Sequence, residues 1–429
     1  MALLFENGTA ILRKAKSDRG FSTIIAGDCC PWEKAIDIIR AGRSQEIIGN
    51  LKPFITDADL RIIQFEAPLT NEDTPIDKSG PNLKCPPECL DLLKNCGFNT
   101  ALLANNHIGD YGCDAVMETI GHLRQAGIRT VGAGKNLEDA NAPLQMELNG
   151  IKIALLNFAE HEFGTAGENT PGCAPLSPID NIKAIRKASE TADLVLTVIH
   201  GGHELNPVPS PRMVKTYRAF AEAGAALVMN IHTHCPEGIE IWNGVPIVYS
   251  PGNFFFPWND PASSRLIAMW WTGYLPKFHC DNKGVYALEI MPYRFDNSRI
   301  SLLTDVERDQ FFAYLHHLSS ILQDEAEVNR YFEGWVAQQG TFFLSLLRDH
   351  LAAWPIELEQ QDAVRALLPP RNCFTCESHN DLITTYLRLI EEKKIAKALQ
   401  YWPLIEKLQS PAYAKKHRQE MLSGSSDSL

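Results

Sequence analysis

Apolar and polar positions along the chain follow two rhythms, and the change between them falls near residue 304. Before it, short β-rich runs alternate with stretches of helical period. Residues 21–26, 61–65, 100–104, 128–131, 194–199 and 225–229 read as buried strands, too short and too rich in branched side chains for helices. Residues 86–95, 113–126, 178–191 and 211–223 read as helices; in 113–126, Met117, Ile120 and Leu123 recur at helical spacing. Two Asn-Gly pairs, Asn149-Gly150 and Asn243-Gly244, sit between apolar runs at 144–148 and 151–158 and at 239–242 and 245–249, which predicts two tight hairpins. Residues 284–292 and 299–303 close the series as a pair of strands. Strand–helix units mixed with hairpins do not describe a plain doubly wound sheet. They predict an α/β protein in which mixed sheets pack on each other under helices.

From about residue 305 to 419 helical periodicity takes over, glycine becomes sparse, and Phe311, Leu315, Leu318 and Leu322, then Leu382, Tyr386, Leu389 and Ile390, mark apolar faces. Leu368-Pro369-Pro370 predicts a break between helices, and residues 423–429 a disordered tail. The expected division is a catalytic portion over 1–304 and a helical extension over 305–429. There is no internal repeat.

Composition narrows the class without changing the architecture. The 429 residues are 45% hydrophobic and 21% charged, as in an ordinary globular protein. A formal charge of −12 argues against nucleic acid or an anionic membrane as partner, while leaving room for a local basic pocket. The first residues lack the basic and apolar regions of a secretory signal, and no stretch approaches the roughly 18 apolar residues of a membrane anchor. A cytoplasmic protein is expected. The 11 cysteines are odd in number and scattered, with Cys29 beside Cys30, so they read as reduced thiols.

The candidate chemistry lies at the carboxyl ends of the predicted strands, the edge where α/β sheets bind ligands. Gly27-Asp28 follows the first, Glu66 the second, and Asn105-Asn106-His107 the third. His200 follows a later strand, with Glu204 four residues on, and His232-Thr233-His234 follows another. Singly, each is ordinary: a Gly-Asp turn, an Asn helix cap, a solvated histidine. Together they supply carboxylate, amide oxygen and imidazole with no thiolate cluster, a donor set suited to Mn, Fe, Zn or Mg. A carboxylate such as Glu66 can bridge two ions, which would polarise a substrate oxygen and acidify a water.

The order of these segments resembles the CapA (PGA_cap) family, named for capsule and poly-γ-glutamate synthesis. The resemblance rests on Phe65-Glu66-Ala67-Pro68-Leu69, Asn105-Asn106-His107-Ile108-Gly109-Asp110-Tyr111-Gly112, His200-Gly201-Gly202-His203-Glu204, His232-Thr233-His234 and Tyr249-Ser250-Pro251-Gly252-Asn253-Phe254, across roughly residues 21–300. It implies a calcineurin-like metallophosphatase fold, a two-sheet β-sandwich flanked by helices. Carried over position by position, it implies one metal on Asp28 and His234, a second on Asn106, His200 and His232, and Glu66 as bridge. It implies proton transfer or charge stabilisation by His107, and a catalytic or His200-orienting part for Glu204. Three positions depart from what the resemblance implies: Cys30 where the superfamily often has histidine, Gly201 in place of the common tryptophan, and Thr233 in place of the usual proline. Cys30 reads as a buried structural thiol. The family's capsule-making members are typically tied to the membrane, and no anchor is expected here.

Glu160 and His161 follow a buried strand and Arg212 opens a helix, so these, with Asn253, are candidate substrate contacts; a solvated loop and a surface arginine are the plain alternatives. Cys373-x-x-Cys376-x-x-His379 is half of a zinc pattern without its other half. The aromatic stretch at 254–274, with Trp258, Trp270 and Trp271, reads as a lid, a substrate platform or packing against the C-terminal helices. No phosphate loop, dinucleotide fingerprint or nucleophile elbow occurs. The expected activity is metal-dependent hydrolysis of a phosphoester or similar anionic small molecule, peptide or polymer, with a metal-activated water as nucleophile. Two alternatives use the same residues: an epimerase or γ-glutamyl-directed enzyme in which His107 or Glu204 shuttles an α-proton, and a non-catalytic assembly factor for a capsule polymer.

Overall fold

The computed structural model describes residues 3–17, 19–258, 266–352 and 361–424. Two large sheets form its centre. The first runs in the order Thr9–Ile11, Gly284–Phe295, Thr272–Asp281, Gly20–Cys29, Leu60–Phe65, Thr100–Leu102, Arg129–Val131, with Ile300–Leu302 also pairing Gly284–Phe295. Its last four strands are mutually parallel. The second runs Ile239–Trp242, Val245–Val248, Leu227–Ile231, Leu194–His200, Ile151–Ala159, Leu144–Leu148, parallel in the middle and antiparallel at both edges.

Strand side chains alternate between faces, and this alternation builds the sandwich. Ile25, Leu60, Ile62 and Leu102 point inward and share one apolar cluster with Leu155, Leu196 and Val228 of the second sheet. Their neighbours Ile24, Ile63, Ala101 and Leu103 point outward into another cluster, closed by helices Lys34–Arg40, Leu90–Cys96 and Gly112–Gln125. The helices Pro178–Ser189 and Pro211–Glu222 pack against the second sheet. The two-sheet sandwich flanked by helices is the architecture expected from the sequence. Both hairpins form on the predicted dipeptides, with φ of 52° and 77° at Asn149-Gly150 and 50° and 84° at Asn243-Gly244, as a type I′ turn requires.

Two expectations fail. In the aromatic stretch, the turn Ala268–Trp271 packs against the C-terminal helices, one of the readings given to it. The loop expected through Tyr274 ends early, however, since Thr272–Asp281 is an interior strand of the first sheet. Gly273, Pro276 and Lys277 hide its alternation. Pro276 is tolerated because pairing with Gly20–Cys29 begins only at Lys277, so no ladder hydrogen bond is lost there. Residues 259–265 of that stretch lie outside the described residues. The second failure is the Pro369-Pro370 break, which sits inside helix Gln361–Thr375. Of the expected tail, Ser423 and Gly424 end the helix Ala412–Gly424 and residues 425–429 lie outside the described residues.

After Leu302 every regular element among the described residues is helical. Phe311, Leu315, Leu318, Val336, Leu382 and Leu389 belong to the same apolar cluster as the second sheet, so these helices complete the core rather than hang from it.

Candidate metal centre

Both sheets deliver their parallel strand ends to one place. The first contributes Asp28, Glu66, Asn106 and His107; the second contributes His200, His232 and His234. A break in register between Ala26 and Asp28 re-aims the end of Gly20–Cys29, the work of a β-bulge. Gly27 allows this, since a Cβ there would stand 1.8 Å from the Gly252 carbonyl oxygen. Asn105 ties two strand ends together, donating to the Phe65 carbonyl (2.9 Å) and accepting from the His107 amide (3.0 Å). His232 and His234 both have positive φ, 109° and 55°. Such strain in non-glycine residues persists where the surroundings impose it, typically at functional sites. It turns two imidazoles one residue apart toward a common point.

That point is ringed by Glu66. Its Oε1 lies 3.4 Å from His200 Nε2, 3.9 Å from His232 Nδ1 and 3.9 Å from His234 Nε2. Asp28 Oδ1 lies 3.5 Å from His200 Nδ1, and Asn106 Oδ1 2.9 Å from His200 Nε2. Two groups could each hold an ion: Asp28, Glu66 and His200, and Glu66, His232 and His234. Glu66 is common to both groups; the resemblance sets Asp28 with His234, and Asn106 and His200 with His232. His200 groups with Asp28, and His234 groups with His232. His234 Nδ1 comes within 3.5 Å of Asp28 Oδ2 but faces the Asn253 amide oxygen at 2.8 Å, which leaves Nε2 as its available nitrogen.

The residues fit divalent ions on three counts. Atoms each about 2.0–2.2 Å from one ion, at right or tetrahedral angles, lie roughly 3–3.5 Å apart; the closer separations here match. Asp28 Oδ1, both Glu66 carboxylate oxygens, His200 Nδ1 and His232 Nδ1 are buried without a hydrogen-bond partner. Unsatisfied buried charge of this kind is costly unless a cation compensates it. Finally, burial pushes the Asp28 carboxyl well up, with Glu66 beside it adding to the rise, and burial likewise raises Glu66. Burial pushes His200 well down and His234 to about 4, holding both imidazoles neutral and ready to donate a lone pair.

His107 stands apart from these groups. Its Nδ1 lies 2.6 Å from Asp110 Oδ2, and Asp110 Oδ1 is 2.6 Å from Lys78 Nζ, both side chains almost wholly buried. Lys78 also reaches toward the Asn106 carbonyl at 3.5 Å. The Leu83 amide donates to Asp110 Oδ2 (2.7 Å), so the loop bearing Lys78 is fastened over His107. Sequence reasoning assigned no role to Asp110 or Lys78. The His-x-x-Asp spacing could have exposed Asp110; Lys78 comes from a loop without regular structure and left no signal.

The model of bacterial capsule synthesis proteins, PGA_cap, matches residues 22–257, more than half of the chain and every residue named so far in this site. The chain belongs to the PGA_cap family. It is 30% identical over 286 residues to the PGA biosynthesis protein CapA of Bacillus subtilis, covering 65% of this chain and 73% of that one. It is 27% identical over 290 residues to the capsule biosynthesis protein CapA of Bacillus anthracis, covering 65% and 68%. No helix among the described residues is long and apolar enough to cross a membrane.

Two of the positions singled out in the sequence of this PGA_cap chain, Cys30 and Gly201, are tightly packed. Cys30 is fully buried in the outward apolar cluster, its Sγ 3.9 Å from Cys85 Sγ, and lies outside both candidate ion groups. Cys30→Ser is expected to keep the metal content of the parent; ion loss as complete as in Asp28→Asn, measured by elemental analysis, would make Cys30 a ligand. At Gly201 a Cβ would stand 2.6 Å from Glu160 Cγ, so Glu160 leaves no room for a side chain there.

Glu160, His161 and Arg212 are engaged by the C-terminal helices. Glu160, 4% exposed, accepts from the Gly202 amide (3.1 Å), Arg212 Nη2 (2.7 Å), the Ser378 amide (3.0 Å) and the Ser378 hydroxyl. His161 meets Glu377 through its amide (2.9 Å) and Nδ1 (2.6 Å), and Arg212 also reaches Asp381 at 3.3 Å. Cys376 directs its thiol to Glu160 Oε2 at 3.6 Å, and His379 lies 3.4 Å from Asn372. Asn253 holds His234 and donates to the Trp270 carbonyl at 3.1 Å. Glu204 is exposed and approaches His232 Nε2 at 3.9 Å; His200 Nδ1 has no hydrogen-bond partner, so Glu204 does not orient that ring.

Burial raises the Glu160 carboxyl, but Arg212 and Ser378 outweigh it and hold it at about 2, below its ordinary 4.5. A depressed folded-state value gives stability that is present above the unfolded value and lost as pH falls through the folded one. Glu160→Gln is therefore expected to lower stability at neutral pH by a few kcal/mol. The gap to the parent should close between about pH 4.5 and about 2. Urea unfolding across that range checks it, and a gap independent of pH would remove Glu160 from the linkage.

Proposed function

We propose that this chain is a di-metal hydrolase of a phosphoester or comparable anionic substrate. The observation that carries the reading is Glu66: fully buried, both oxygens without a hydrogen-bond partner, and faced by three imidazoles. Asp28, Glu66 and His200 would hold one ion, with Asn106 beside them, and Glu66, His232 and His234 the other. Divalent ions there supply Lewis acidity toward a substrate oxygen and a water. His107, oriented by Asp110 through Nδ1, offers Nε2 to the leaving oxygen or to charge on the substrate. Asn253 fixes the His234 ring, and Glu204 at the exposed rim faces incoming substrate. Asp28 is held rigid by the His232 amide (3.1 Å), which keeps the two sheets' contributions in register. We place the catalytic portion in residues 1–304 and give 305–429 a supporting part; Glu160, His161 and Arg212 then anchor that support instead of touching substrate. The names of the Bacillus relatives suggest that the anionic substrate arises in capsule-polymer metabolism.

The test is elemental analysis of the purified chain, followed by a panel of phosphomonoesters and phosphodiesters with Mn²⁺, Fe²⁺, Zn²⁺ or Mg²⁺. Metal-dependent phosphoester turnover supports the reading. Bound metal with α-deuterium uptake from D₂O and no phosphoester turnover would replace hydrolysis with proton shuttling. Absence of bound metal would remove the centre itself.

A further inference from the structure

The family match ends at residue 257, yet two consecutive residues far beyond it touch both walls of the centre. They are Gln409, the last residue of helix Trp402–Gln409, and Ser410, its cap. Gln409 is 6% exposed and donates from Nε2 to the Leu205 carbonyl at 2.7 Å. Leu205 has a positive φ of 62° and follows Glu204, so this bond closes a strained turn that presents the rim carboxylate. The same turn is fastened by the Leu205 amide to the Thr233 carbonyl (2.8 Å), between the paired histidines, and by His203 Nε2 to the Ser378 carbonyl (3.0 Å). Ser410 accepts at its hydroxyl from the Ala268 amide (3.1 Å), the first residue of the turn Ala268–Trp271. That turn carries Trp270, whose ring lies 4.7 Å from His234 and whose carbonyl holds Asn253. Tyr413 adds a contact from its hydroxyl to Met269 Sδ at 3.6 Å.

We propose that Gln409 and Ser410 form a clasp by which the C-terminal helices set the geometry of the centre. Gln409 positions the Gly201–Leu205 wall with Glu204 beside His232, and Ser410 positions the Trp270 wall beside His234. Neither touches the candidate ion ligands, so both are positioning residues. Removing a buried donor from a strained loop leaves its carbonyl unpaired and loosens the loop there. The rest of the turn depends on the same helical region through Ser378. The consequence for the metal environment rests on the di-metal reading; the clasp itself does not.

The experiment compares the full-length chain with Gln409→Met, which keeps side-chain bulk and removes the donor, and with Ser410→Ala and Ser410→Thr. Backbone hydrogen exchange is read in the segments 201–206 and 266–272. Gln409→Met is expected to speed exchange in 201–206 about three- to tenfold, the loss of one hydrogen bond. Ser410→Ala should do so in 266–272, and Ser410→Thr should restore it, while the strand Leu194–His200 keeps parental rates in all three. Unchanged exchange in both segments, or acceleration spread through that strand, overturns the clasp. In the Co²⁺-loaded chain the visible spectrum should shift in Gln409→Met and Ser410→Ala at nearly unchanged Tm, and return in Ser410→Thr. A parent spectrum with no shift in either variant also overturns the positioning role. A parent that binds no Co²⁺ defeats the di-metal reading and leaves the exchange result to decide the clasp.

Discussion

His232→Ala/His234→Ala is expected to lose one ion entirely and to weaken the other by at least about 10–100-fold, while the fold survives. The removed groups are two of the three members of one candidate group, which Glu66 completes. Both lie beyond the end of Leu227–Ile231, so no strand pairing depends on them. Their backbone sharpens the test. Each occupies left-handed or neighbouring space, which costs a side-chain-bearing residue about 1–2 kcal/mol and glycine almost nothing. Alanine keeps that strain and glycine relieves it. His232→Gly/His234→Gly should therefore lose the ions equally, yet be more stable in the metal-free state than the alanine pair, by denaturant titration. Full metal occupancy in either double variant would show that the histidines serve another purpose. Equal stability of the two would mean that the positive φ values carry no strain.

The histidine pair was legible because chemistry and periodicity coincide there: an apolar run stops, and the next polar residues are ligand types. The same coincidence marks Asp28, Glu66, Asn106 and His200. The orientation of the rings was not legible, since motif order says which residues converge but not how their rings turn. Asn253 shows why. It was read as a substrate contact, but it accepts from His234 Nδ1, and this single hydrogen bond decides which nitrogen faces Glu66. Contacts from distant chain segments left even less trace. Lys78 sits in an irregular loop, Ser378 and Gln409 lie in helices whose pattern encodes burial alone, and Ser410 caps one of them. The strand Thr272–Asp281 was missed for a local reason: its Gly, Pro and Lys break the period of two that would have announced it.

The last expectation separates chemistry from binding at one strand end. Asn106 and His107 are adjacent, and the structure sends them to different neighbours. The Asn106 amide oxygen faces His200 Nε2 at 2.9 Å, whereas the His107 ring faces Asp110 at 2.6 Å. Asn106→Ala should then weaken the ion beside His200 and leave His107 in place. His107→Ala should keep both ions and lower kcat by roughly 10²–10⁴-fold, the range for a positioned acid or base, with KM little changed. Asp110→Asn should fall between, because the ring remains while the group that fixes it no longer accepts at both oxygens. That change also leaves the buried Lys78 ammonium without its carboxylate partner, so part of the effect will appear as lower stability, and kcat must be compared at temperatures where each variant is folded. Elemental analysis and steady-state kinetics on the same three preparations decide the matter. If His107→Ala lost metal as Asn106→Ala does, His107 would belong among the ligands. If it kept full kcat, the buried Lys78–Asp110–His107 chain would be a structural lock on the loop and nothing more.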